Sequence, residues 1–306
     1  MSVHVSQSAH KIQLWRRLGS VQYRNSRLLQ RQHLSSFSSN ADRNDDLVTL
    51  EASPDTGVAT LRMHRSPANS LSMEMMQSIS GAIRKAESDR KIQSLILTSS
   101  LPSGIFSAGL ELTELYQPDL ARLPKFWESF QQLYLDLYGS RLSTIASIGG
   151  PAPAAGCMLA LSCDYRIMTD NPKCTIGLNE SQLGIVAPPW LAQQYIDVIG
   201  NRNAELALLL GTLFTPQQAL TVGLVDELVC SGDSSIDEMA QRKAAEFIRI
   251  PPKARVAAKE LTRGTQIAKL SGNREEDTEF FCSFVTTDTV QKTLGSYLEM
   301  LAKRKK

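Results

Sequence analysis

The chain has 306 residues, of which 42% are hydrophobic, enough to bury a sizeable core as one large domain or two small ones. No apolar run approaches the roughly 20 residues that a membrane-spanning helix needs, which excludes a helical integral membrane protein. The formal charge of +2 is unevenly placed: residues 1–41 hold six of the 33 basic residues and none of the 31 acidic ones, so residues 42–306 carry about −4, which argues against a surface for nucleic acid.

Residues 1–41 also contain nine serines, with Leu14, Leu18, Leu28 and Leu29 among the arginines. That composition is that of a mitochondrial transit peptide, an ordinary basic tail being the alternative, and the segment is set apart from the fold. The hairpin comes next, with strands at 47–51 and 57–63 around a Ser-Pro-Asp-Thr turn. Asn69-Ser70-Leu71-Ser72 caps a helix over 73–88, with Met76, Ile79, Ile83 and Ala86 along one side. A buried strand at 94–98 leads into the loop Phe106-Ser107-Ala108-Gly109-Leu110-Glu111-Leu112, and helical spacing follows over 125–142. Strand 144–148 runs into Gly149-Gly150-Pro151-Ala152-Pro153-Ala154-Ala155-Gly156 and a helix starting near Pro153. Strands at 165–168 and 174–176 precede helices over 189–198, 204–210 and 216–222, and a last strand at 225–229. Helices over 236–248, 252–263, 275–286 and 288–303 fill the remainder. Alternation of strand and helix predicts a βαβ-type sheet, hence an α/β core over 42–230 and a helical region over 231–306.

Of four histidines, only His64 lies outside residues 1–41, which excludes a multi-histidine metal site and leaves one possible partner for a serine or cysteine nucleophile. Five cysteines without CxxC spacing suggest neither a zinc ribbon nor a disulfide framework, and read as small buried hydrophobes.

Two small-residue turns at the carboxyl ends of strands expose backbone amides, one at 106–110 and one where strand 144–148 gives way to a helix N-terminus. Two such donors converging on one oxygen make an oxyanion hole, although each turn is equally compatible with close packing. Glu180 stands among Ile176, Leu178, Leu183, Ile185, Val186 and Ala187, an apolar setting that raises a carboxyl toward the range of a general base, a solvated or helix-capping acid being the alternative.

From Asn69-Ser70-Leu71 through Phe106-Ser-Ala-Gly-Leu-Glu-Leu112, Cys163-Asp-Tyr-Arg-Ile167 and Ile176-Gly-Leu-Asn-Glu-Ser-Gln-Leu-Gly-Ile185, the chain resembles the crotonase superfamily and, within it, the mitochondrial 3,2-trans-enoyl-CoA isomerases. The resemblance covers residues 47–303. It implies a crotonase-like α/β spiral of ββα units, a helical C-terminal trimerisation region and a homotrimer in the mitochondrial matrix. It also implies a fatty enoyl-CoA substrate with coenzyme A as part of it, and neither metal nor separate cofactor. Carried over by position, the oxyanion donors are the N–H groups of Ala108 and Ala155 and the base is Glu180. Ala108, Gly109, Leu110, Glu111, Leu112, Ala155 and Asn179 would then bind substrate. Phe130, Pro188, Pro189 and Trp190 are expected as acyl-pocket walls, a structural core role being the alternative for each, and Arg62, Arg65 or a lysine of the terminal helices as phosphate ligands. Hydratases of the superfamily use a second glutamate three residues after the second donor, where this chain has Met158. Alanine also replaces the family's usual glycine at 155, which is harmless where its φ is helical and distorting where φ is positive. Hydration, thioester hydrolysis and non-catalytic acyl-CoA or RNA binding remain as alternatives.

Overall fold

The computed structural model describes residues 47–230 and 235–304, so the expected transit peptide lies outside the described residues. Strands β1 (Val48–Ser53) and β2 (Val58–Met63) form the expected antiparallel hairpin. Strands β3 (Ser94–Ser99), β4 (Ser143–Ile148), β6 (Tyr165–Thr169) and β8 (Glu227–Val229) extend it in parallel, giving one six-stranded sheet in the order β1-β2-β3-β4-β6-β8. The central strands are buried on both faces, and successive residues serve opposite cores because side chains alternate along a strand. Leu95, Leu97, Ala146 and Met168 enter the main core, whereas Ile96, Ile145 and Ile167 enter a second one.

Helix α1 (Met73–Ser88) begins at Ser72, whose side chain accepts from the Met75 N–H, and buries Met75, Met76, Ile79, Ile83 and Ala86. It packs on α2 (Leu123–Tyr138), which ends at Gly139 rather than at the expected residue 142. Helices α3 (Ala155–Ser162), α4 (Pro189–Ile199), α5 (Asn201–Leu210) and α6 (Pro216–Thr221) complete the main layer. Helix α7 (Ile236–Ile248) covers the opposite face of the sheet, where Ala240 and Ala244 meet Ile96, Ile145 and Ile167. The expected boundary at residue 231 therefore does not coincide with a break in packing.

Helix α8 (Pro252–Gly272) runs nine residues beyond the expected end at residue 263. Nothing lies within 4 Å of a side chain placed at Gly264, so that glycine only weakens the helix by about 1 kcal/mol, while Lys259 and Arg263 anchor it on Asp164 at 2.7 and 2.9 Å. Helices α9 (Arg274–Val285) and α10 (Asp288–Arg304) close the chain. No helix among the described residues is long and apolar enough to cross a membrane. The cysteines form no disulfide; Cys157, Cys163 and Cys174 are buried as expected, whereas Cys230 is exposed.

Candidate active site

Strands β2, β3 and β4 run parallel and release three loops at their carboxyl ends, over 64–72, 100–112 and 149–154. Asn69 holds the first two together. Its φ of 50° lies in the left-handed region that asparagine tolerates, and it is fully buried. Its side-chain amide donates to Ser99 Oγ at 2.9 Å and to the Phe106 carbonyl at 3.1 Å, and its own carbonyl accepts from Ser107 Oγ at 2.8 Å. This residue was read from sequence only as part of a helix cap. The Asn-Ser-Leu motif was visible, but its tertiary partners were not.

Leu71 and Leu110 then form a single parallel bridge, with Leu71 N–H donating to the Gly109 carbonyl at 2.8 Å and Glu111 N–H donating to the Leu71 carbonyl at 3.1 Å. In such a bridge the intervening residue turns its own amide the other way. The Leu110 N–H accordingly donates to no described residue. The Ala108 N–H donates to the Ala68 carbonyl at 2.9 Å. The Ala108 amide, expected as the first oxyanion donor, is thus already occupied, whereas the Leu110 amide is open among the described residues.

The second donor lies beside it. Gly109 has φ of +90°, and a side chain there would come within 3.1 Å of Ala154 Cβ and 3.2 Å of Ala155 N. A side chain at Gly156 would collide with the Ser107 carbonyl. Both glycines are required for the two loops to touch. The positive φ of 51° falls on Ala154, the residue ahead of α3, and Ala155 opens the helix. The alanine at 155 therefore sits in helical backbone, and as the first helical residue its N–H has no acceptor within α3 and stands at the positive end of the dipole.

A short parallel pair, β5 (Ala152–Pro153) and β7 (Ile176–Gly177), joins this turn to the acid. The Ala152 N–H donates to the Thr175 carbonyl and the Ala154 N–H to the Gly177 carbonyl, each at 2.8 Å, so the chain entering α3 runs alongside the chain leading to Glu180. Glu180 opens a 3-10 turn, Glu180–Leu183, closed by Gly184 at φ of +72°. The residue as a whole is half-buried, whereas Oε2 has essentially no accessible surface and no hydrogen-bond partner. Burial raises the carboxyl to about 7, an effect partly opposed by the residue's own N–H. Its charge reaches Cys157 of α3 and Tyr195 of α4, whose own values burial also raises.

Glu180 and Ser181 line a cavity of about 200 Å³ whose other walls are Leu178, Val186, Ala187, Ala192, Leu208 and Leu209. Trp190 and Phe130, expected as acyl-pocket walls or as core residues, do not line this cavity. Both are buried in an aromatic cluster with Trp127 and Tyr134, while Pro188 and Pro189 begin α4 outside the cavity lining. Arg62 pairs with Asp237 at 3.0 Å and Arg65 with Glu111 at 2.9 Å, so neither expected phosphate ligand is uncommitted. Asn179 is half-buried next to the acid, with a buried, unpartnered Oδ1. Ala108 is exposed and Leu110, Glu111 and Leu112 are half-buried. Met158 is wholly buried in α3. The described residues contain no group of three His, Cys, Asp or Glu side chains placed to hold a metal.

Helix α10 closes the site from behind. Thr293 lies against Gly184, where a side chain would come within 3.1 Å of Thr293 Cγ2, and Gln291 accepts from the Gln117 N–H at 2.8 Å while donating to the Leu115 carbonyl at 2.9 Å.

The sequence model of the family described as enoyl-CoA hydratase/isomerase matches residues 54–305. The chain is similar to the mitochondrial enoyl-CoA delta isomerase 1 of Mus musculus, with 44% identity over 258 residues, 84% of this chain and 88% of that protein. Among solved structures it resembles the human mitochondrial delta3-delta2-enoyl-CoA isomerase, at a TM-score of 0.82 and 42% identity over 85% of this chain and 99% of that one. It also resembles an enoyl-CoA hydratase from Bacillus halodurans, at a TM-score of 0.71 and 26% identity over 81% and 99% of the two chains.

Proposed function

The chain belongs to the enoyl-CoA hydratase/isomerase family, and from that premise we propose that it is an enoyl-CoA delta isomerase, moving the double bond of 3-enoyl-CoA to give 2-trans-enoyl-CoA. The thioester oxygen accepts from the N–H groups of Leu110 and Ala155, with residues 108–112 and Asn179 against the substrate. Glu180 removes a proton from C2. The electron pair delocalises into the dienolate, which the two amides stabilise, and reprotonation at C4 by the same carboxyl completes the shift. C2 and C4 are 1,3-related, about 2.5 Å apart by bond geometry, so one carboxylate reaches both. Each backbone donor contributes about 3 to 4 kcal/mol to the transition state in comparable sites.

The observation that carries this reading is a single buried acid, raised to about 7, in a cavity whose other walls are apolar apart from Ser181, with Met158 where a hydratase has its second acid. Adding water needs one group to activate it and another to protonate carbon, which this pocket lacks. The reaction calls for no metal or separate cofactor, coenzyme A being part of the substrate. The relatives named mitochondrial, together with the basic, serine-rich residues 1–41, support a matrix location in the β-oxidation of unsaturated fatty acids, and the helical C-terminal region supports a homotrimer.

The test is the ultraviolet absorbance of conjugated thioester formed from 3-enoyl-CoA. Wild-type turnover that collapses in Glu180→Gln, with acyl-CoA binding retained, is the expected result. An inactive wild type that still binds acyl-CoA replaces the enzyme with a binding protein.

A further inference from the structure

We infer that Arg65 and Glu111 are a positioning pair that holds the Leu110 amide in place as an oxyanion donor, so that their ion pair acts on turnover rather than on binding of the coenzyme A phosphates. The inference rests on the isomerase reading and deepens it. The Leu110 amide is turned toward the site by a single bridge with Leu71, made of two hydrogen bonds at 2.8 and 3.1 Å. A lone bridge, unlike a ladder, has no neighbouring pairs to keep its register.

Arg65 supplies a further tie from one nitrogen. Its Nη1 donates to the Ser70 carbonyl at 3.0 Å and to Glu111 Oε2 at 2.9 Å, and these residues stand immediately before Leu71 and immediately after Leu110. The guanidinium therefore joins the two loops at the residue next to the open amide. Both members of the pair are themselves held. The Arg65 carbonyl accepts from the Asn69 N–H at 2.8 Å, and Glu111 Oε1 accepts from Thr113 Oγ1 at 3.2 Å. On the other side of Leu110, Gly109 approaches Ala154 and Ala155 too closely to admit a side chain without strain. Leu110 is thus fixed between the helix that carries the second donor and the loop that carries Arg65. The two side chains are 25% and 22% exposed, so the pair contributes little to the stability of the fold. Donor placement is the more sensitive quantity, because a misplacement of about 1 Å at a reacting centre costs about 10²-fold in rate.

The experiment compares the full chain as wild type, Arg65→Met, Glu111→Leu and the double variant. Turnover of 3-decenoyl-CoA gives kcat and KM. The absorbance shift of bound 2,4-hexadienoyl-CoA, a conjugated thioester whose carbonyl the same donors polarise, reports on them without turnover. Each single variant is expected to lower kcat about tenfold, with KM changed less than about twofold and the absorbance shift reduced. The double variant should be no worse than either single one, as for two residues that act through one contact. An Arg65→Met chain with raised KM and unchanged kcat, beside a neutral Glu111→Leu, makes Arg65 a phosphate ligand and overturns the inference. Variants that melt lower yet keep both kcat and the absorbance shift overturn it too, as do losses that add in the double variant. Where one single variant does not fold, the kcat and KM of the other, with its absorbance shift, decide. A wild type that shifts the dienoyl absorbance but turns over no 3-enoyl-CoA overturns the isomerase reading instead, and the shift in the variants still decides the role of the pair.

Discussion

In the proposed mechanism Glu180 carries most of the chemistry in one side chain, and its burial has opposite consequences for activity and for stability. As a base it must be ionised, so kcat/KM is expected to fall with pH below about 7 along a single-proton curve, measured as the rate of conjugated thioester formation. Glu180→Gln removes the proton acceptor and lowers kcat about 10³- to 10⁴-fold in the same assay. For stability, below the ordinary value of 4.5 the carboxyl is protonated in both folded and unfolded chains and contributes nothing. Between 4.5 and about 7 the folded chain retains a proton that the unfolded chain releases, so stability falls as pH rises, by about 3 kcal/mol in total, and the loss stays constant above 7. Glu180→Gln should therefore melt higher than the wild type at pH 8, with the difference closing toward pH 4. In sequence its apolar neighbours left a solvated or helix-capping acid open, and the family resemblance singled it out. Sequence does not separate Ala108 from Leu110 as the first donor, because the two differ only in whether a distant carbonyl, that of Ala68, has claimed the amide.

At the scale of elements, the site depends on two loops touching at glycines. Gly109→Ala combines an unfavourable φ of +90° with a methyl about 3.1 Å from Ala154 Cβ, so the loops part and both donors move. Loss of about 10² to 10³ in kcat, with a smaller change in KM, is the expected kinetic result. A second junction is Asp277 of α9, which accepts from Trp127 Nε1 at 2.7 Å, Gln131 Nε2 at 2.8 Å and Trp190 Nε1 at 3.4 Å, gathering α2 and α4 at one carboxylate. Asp277→Ala leaves these donors unpaired and should lower stability by about 2 to 3 kcal/mol in denaturant melts. The hairpin, the parallel strands and the starts of most helices followed from periodicity and capping residues. Strand β5 did not, and β7, expected at 174–176, is shifted to Ile176–Gly177, since their pairing is a tertiary contact with no period of its own. Of the two roles open to Trp190 and Phe130, pocket wall or core, the structure shows them packed on Trp127 and Tyr134, a choice that apolar character alone does not make.

Across the molecule, one sheet carries two cores, and its helical half is divided between them. Helix α7 is as much a part of the sheet's packing as α1, although the sequence places it within the helical tail. Several large apolar side chains remain on the surface, among them Leu206, Leu210, Leu261 and Phe280. Such exposure is typical of surfaces that meet another chain, and light scattering at micromolar concentration should give the mass of three chains. A monomeric mass would remove the trimer from the proposed function.

The order in which the polypeptide leaves the ribosome has its own consequence. The base at position 180 is synthesised well before Asp288–Arg304, yet the turn that holds it closes with Gly184 against Thr293 and with Gln291 bound to the loop at 115–117. A chain still in translation, or one cut short ahead of residue 288, carries the acid without the helix that backs it. The turn around Glu180 thus gains its backing only with the first turns of the last described helix, and a chain stopped ahead of residue 288 would lose that support rather than a dispensable tail.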